Sequence, residues 1–127
     1  MTYQLYAPAS FIAASAEVRA AVVNGCGAGG WKIDLVPDSI YGLDVSDVCD
    51  IHDWMYEAGE TLADKEEADR VMLNNLLRKI NAKTKYAWLR WLRRKRALKY
   101  YQAVAEFGAP AFWADKNKPE NIINVPA

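Results

Sequence analysis

The sequence predicts a mainly α protein. Apolar residues recur every three or four positions along most of the 127 residues, no stretch alternates with a period of two for long enough to specify a strand, and glycine or proline closes the periodic segments. A chain of this length has room for one core, so residues 1–127 are read as a single domain.

Residues 10–23 are alanine-rich, with Phe11, Ile12, Val18 and Val22 at helical spacing, and Gly25 stops this first helix. Residues 24–30 hold four glycines and are followed by Pro37 and Asp38, so 24–43 reads as a long loop of the kind that usually carries function. Asp44 or Ser46 caps a second helix that runs to Ala58 and is closed by Gly59. Its apolar stripe is Val45, Val48, Cys49, His52, Met55 and Tyr56. Asp64 starts a third helix, with Glu66 and Glu67 in the first turn where the helix dipole favours acids. Its stripe is Asp69, Met72, Leu73, Leu76 and Ile80. Residues 85–107 form a fourth helix carrying Trp88, Trp91, Leu92, Leu98, Tyr101 and Val104, ended by Gly108 and Pro110. The tail from Phe112 reads as irregular.

With 52% hydrophobic and 25% charged residues, the composition excludes a disordered chain or a cysteine-dense scaffold. Basic and acidic residues number 16 each, so net charge selects no partner, yet the charges are segregated. Residues 34–69 hold twelve acids against one base, Lys65, whereas 83–99 hold eight bases and no acid. The apolar run at 7–23 is broken by Glu17 and Arg19 and has no basic leader, so it reads as neither signal peptide nor membrane span. Cys26 and Cys49 allow one disulfide or two buried thiols. The compartment therefore stays open, and a disulfide would place the protein outside the cell or on a particle.

The chain has one histidine, His52, on the apolar stripe of the second helix, and Asp69 heads the stripe of the third. If those helices form an antiparallel pair, the rise per residue brings both side chains to nearly the same level, where a carboxylate can orient an imidazole. Tyr56, one turn from His52, can donate to the same carboxylate. Asp53 points about 100° away from His52, toward the segment packed beside the helix. A hard cation such as calcium takes carbonyl and carboxylate oxygens, and Gly25, Gly27 and Gly29 would supply alternate carbonyls while Asp53 supplies two oxygens.

These residues resemble the phospholipase A2 family. Its calcium loop, C-G-x-G-G, reads here Cys26-Gly27-Ala28-Gly29-Gly30, and its catalytic helix, C-x-x-H-D-x-x-Y, reads here Cys49-Asp50-Ile51-His52-Asp53-Trp54-Met55-Tyr56. The segment Ala68-Asp69-Arg70 looks like the family's helix that supplies the partner of the histidine. The resemblance is carried by residues 24–82, with the basic, aromatic helix beyond it, and the compact bacterial and viral members are the closer comparison. It implies a phospholipase A2-like fold, an antiparallel pair of catalytic helices with a glycine-rich calcium loop. It implies calcium-dependent hydrolysis of the sn-2 ester of glycerophospholipids at a membrane surface. His52 would be the general base, Asp69 its orienting partner and Tyr56 the support of Asp69. Calcium would be held by Asp53 and the carbonyls of Gly25, Gly27 and Gly29, with the Gly27 amide as a further oxyanion donor. A Cys26–Cys49 disulfide would clamp the loop to the catalytic helix. The family usually has a tyrosine where Gly25 stands, but only its carbonyl would be used.

The rival from another class is a phospholipase-like scaffold that binds membrane or protein without catalysis. A zinc site from Cys26, Cys49, His52 and Asp53 leaves the glycine loop unexplained. In the basic helix, Trp88, Trp91, Tyr100 and Tyr101 interleave with cations, which suits an anionic bilayer as well as a solvated or core-packed helix. Nucleic acid is the weaker alternative for the same stretch.

Overall fold

The computed structural model describes residues 3–23, 37–114, 116 and 123–126. Among these, the chain is mainly helical, with six helices and one two-stranded sheet. Short polar residues decide where two of the helices begin. The segment read as one helix at 10–23 is two, α1 (Ala9–Ala13) and α2 (Ala16–Val22). Ser15 is extended between them, and its hydroxyl accepts from the Val18 amide at 3.2 Å, so the helix restarts there.

The end of the segment read as a loop is a hairpin, with β1 (Ser39–Ile40) antiparallel to β2 (Leu43–Asp44) and Ile40 opposite Leu43. Tyr41 and Gly42 make the two-residue connection with φ of 45° and 81°, the positive pair that matches the twist of the flanking strands. Arg93 holds this turn in place, donating to the Tyr41 carbonyl at 2.8 Å and to the Thr84 hydroxyl at 2.9 Å. The Tyr100 hydroxyl donates to the Ser39 carbonyl at 2.8 Å.

Helix α3 (Ser46–Ala58) ends at Gly59 as its sequence predicts. Helix α4 (Leu62–Lys83) begins two residues before Asp64, because Thr61 and Asp64 form a capping box. The Thr61 hydroxyl accepts from the Asp64 amide at 3.1 Å, and the Asp64 carboxylate accepts from the amides of Thr61 at 3.1 Å and Glu60 at 2.8 Å. Only residues 59–61 therefore separate the two helices, which makes them close neighbours. Helix α5 (Ala87–Phe107) follows, and Gly108 leads into α6 (Ala109–Trp113). Pro110 thus sits in the first turn of a new helix, where its missing amide costs nothing, and Phe112, expected in an irregular tail, is fully buried.

Helix α4 packs against both α3 and α5, and the main core is built where they meet, from Val48, Cys49, Met72, Leu76, Ile80, Ala97, Tyr100 and Val104 beneath Ile40 and Leu43 of the hairpin. A smaller cluster joins Tyr56, Ala68 and Phe112. Asn75, fully buried, exchanges two hydrogen bonds with the Tyr6 backbone, at 2.7 and 2.8 Å, and so fastens the N-terminal segment to α4. Among the described residues, no helix is long and apolar enough to cross a membrane.

Replacing Gly42 by valine forces a branched side chain into a left-handed conformation, at a cost of about 1–2 kcal/mol. The midpoint of thermal unfolding followed by circular dichroism is expected to fall by about 4–8 °C. An unchanged midpoint would contradict the turn geometry.

Candidate functional site

The site is assembled from one face of α3 and one face of α4. His52 and Tyr56 lie one turn apart on α3, and Asp69 lies in the second turn of α4. His52 Nε2 is 2.8 Å from Asp69 Oδ1, and the Tyr56 hydroxyl donates to the same oxygen at 2.6 Å. The convergence expected from the helical offsets is therefore present. All three side chains are buried, the imidazole completely so.

Lys65, in sequence the one base of an acidic run and not among the expected site residues, completes the cluster. Its Nζ donates to Asp69 Oδ2 at 2.8 Å, to the Val104 carbonyl at 3.1 Å and to the Ala105 carbonyl at 3.5 Å. Three acceptors meet the three protons of the ammonium, so the head group of a lysine that is 4% exposed has its hydrogen bonds supplied by the protein. The signal that would have found it is its spacing: Lys65 stands four residues before Asp69, on the same helical face.

Burial pushes the Asp69 carboxyl up, but the hydrogen bonds from His52, Lys65 and Tyr56 outweigh it and hold the group below the ordinary carboxylate range. Burial, then the hydrogen bond to Asp69, then the charges of Asp69 and Asp53 push the Tyr56 hydroxyl above its ordinary value, so it stays a neutral donor. With Asp69 ionised and accepting, Nε2 is the donor of this hydrogen bond, and in the tautomer that makes it Nδ1 presents a lone pair. Nδ1 is buried without a hydrogen-bond partner among the described residues. Such an atom can take a proton from a water molecule if one reaches it.

Packing around the cluster is close. Tyr56 meets Phe112 edge to face with ring centroids 5.3 Å apart, and Gly108 passes so near that a Cβ there would lie 2.5 Å from the Tyr56 hydroxyl oxygen. A cleft of about 590 Å³ opens beside Lys65 and Asp69, between α4 and the end of α5. A second, of about 480 Å³, lies between Tyr6, Met55 and Arg70. His52 lines neither.

Asp53 follows His52 on α3 and is 7% exposed. It is the one residue of the expected calcium set that is described; Gly25, Gly27 and Gly29 lie outside the described residues, as does Cys26. Cys49 is disulfide-bonded. Among the described residues no three His, Cys, Asp or Glu side chains gather as metal ligands, and a hard-cation site made of one carboxylate and backbone carbonyls needs no such gathering. A buried aspartate beside His52 fits that donor chemistry.

Comparison of the chain with family models, curated proteins and solved structures finds no match.

Two outcomes follow from the cluster. Lys65→Met leaves the Asp69 charge without its cation and is expected to cost about 3–5 kcal/mol in urea unfolding. Adding Asp69→Asn to that variant is expected to recover part of the loss, and strict additivity would contradict the ion pair. Because Asp69 is held below its unfolded value, its stabilising contribution is present above the ordinary carboxylate range and is lost as pH falls through the folded value. Stability measured against pH should fall less steeply on that acidic side in Asp69→Asn than in wild type.

Proposed function

We propose that the chain is a calcium-dependent phospholipase A2-type hydrolase that cleaves the sn-2 ester of glycerophospholipids. One observation carries the reading: a histidine whose Nε2 is bound to a buried, charge-compensated carboxylate keeps Nδ1 unpartnered among the described residues, one position before a buried aspartate. The same residues spell the family's catalytic-helix motif, and the glycine-rich loop lies before them in the sequence. In this reading Nδ1 of His52 takes the proton of the attacking water. Asp69 keeps Nε2 protonated and stabilises the imidazolium that forms, while Tyr56 and Lys65 hold Asp69 ionised and in place. Asp53 and the carbonyls of Gly25, Gly27 and Gly29 would hold calcium, which when bound supplies positive charge to the substrate phosphate and to the ester oxygen. A Cys26–Cys49 disulfide would anchor the loop to α3 close to Asp53.

The second reading, a phospholipase-like module that binds membrane or protein without catalysis, is favoured by the complete burial of the His52 side chain. Hydrolysis requires Nδ1 to become reachable in the lipid-bound, calcium-loaded protein, whereas binding alone does not.

Release of fatty acid from mixed phospholipid vesicles separates the two. Wild type is expected to release it from the sn-2 position only with calcium, His52→Ala to lose about 10²–10⁴-fold in rate, and Asp53→Asn to lose calcium binding in calorimetry while keeping its helical circular dichroism. Folded wild-type protein without calcium-stimulated release would overturn the hydrolase reading and favour the binding module.

A further inference from the structure

Helix α5 is apolar on two opposite sides. Ala97, Tyr100 and Val104 are buried against the rest of the protein, with Arg93 on the same side. Trp88, Trp91 and Leu98 are 64%, 58% and 47% exposed, and they fall with Lys95 at intervals of three and four residues on the other side. Tyr86, just before the helix, is 55% exposed and stacks on Trp88 with centroids 6.4 Å apart. Lys95 lies 4.6 Å over the Trp91 ring. Lys99 is exposed one turn further on, and residues 83–99 contain no acid. Large aromatic side chains turned away from the core, with cations and no acid along 83–99 and the one acid of α5, Glu106, near its far end, are costly to leave in water and mark a surface that is covered in use.

We propose that this outward face of α5 docks on an anionic phospholipid bilayer. Indole and phenol rings prefer the depth of the headgroups, Leu98 adds an aliphatic side chain that gains from acyl chains, and Lys95 and Lys99 meet the anionic surface. Single-stranded nucleic acid would offer the same negative charge but reads aromatic residues by stacking on their faces. Here Lys95 lies over the Trp91 ring and Tyr86 is offset beside Trp88, while exposed Leu98 in the same patch offers a base nothing to stack on and gains from acyl chains. The choice of lipid rests on the hydrolase reading, which needs the enzyme at a bilayer, while the surface itself is argued from α5 alone.

The full chain with calcium is sedimented with vesicles of ether-linked, uncleavable phosphatidylcholine, with and without ether-linked phosphatidylglycerol. Binding is expected to rise with phosphatidylglycerol and to weaken with salt. Trp88→Ala/Trp91→Ala is expected to lower affinity at least about tenfold with unchanged circular dichroism, since both side chains are exposed. Lys95→Gln and Lys99→Gln are each expected to lower it about fivefold. Equal binding to neutral and anionic vesicles, wild-type binding by the double tryptophan variant, or tighter binding to single-stranded oligonucleotide than to vesicles would overturn the proposal. Hydrolysis of dispersed short-chain phospholipid reads the enzyme separately. Activity there without vesicle binding overturns the docking face alone, and vesicle binding without that activity supports the docking face while the hydrolase reading fails.

Discussion

A carboxylate removed from water persists as an anion only where donors replace its hydration, and Asp69 obtains them from two helices. His52 and Tyr56 of α3 share one of its oxygens and Lys65 of its own helix takes the other. The same lysine reaches the last turn of α5 through the carbonyls of Val104 and Ala105, where the helix dipole favours a cation. One buried charge and its compensation thus set how α3 approaches α4 and where α5 ends against them. Positive and negative charge balance within the cluster, which lets it sit next to apolar Ala68 and Phe112 without an uncompensated ion.

The small helix α6 belongs to the same arrangement. Phe112 packs against the Tyr56 ring, and Lys116 donates to the carbonyls of Tyr56 at 2.7 Å and Phe112 at 2.6 Å. Gly108 is what permits this closeness, since any side chain there would meet the Tyr56 hydroxyl. The hydroxyl that supports Asp69 is therefore held from above by a segment more than fifty residues away in sequence.

How much of this could be read from the residues depended on whether the governing signal was local. His52 and Asp69 were paired correctly because a short connection and two helical stripes leave little freedom in their relative level. The boundaries at Ser15 and Thr61 moved because single side-chain caps decide them, and caps compete with equally plausible polar neighbours. The hairpin at Tyr41 and Gly42 escaped notice because strands of two residues have no periodicity to detect. Lys65 was hidden for another reason: a basic residue among acids looks solvated, and only the packing of α5 against α4 shows that it is enclosed. The aromatic residues of α5 could not be divided by spacing, because both sides of the helix repeat at three and four residues. Tyr100 went inward and Trp88 and Trp91 went outward, a division set by which side meets α4. The glycine loop and Cys26, which carry the other half of the family resemblance, fall outside the described residues.

The two-sided character of α5 also bears on handling the protein in solution. Equal numbers of acidic and basic residues leave no net charge near neutral pH, so little long-range repulsion keeps copies apart. With indole rings exposed on every copy, a buffer away from neutrality or a mild detergent over those rings is then the condition expected to keep concentrated stocks clear.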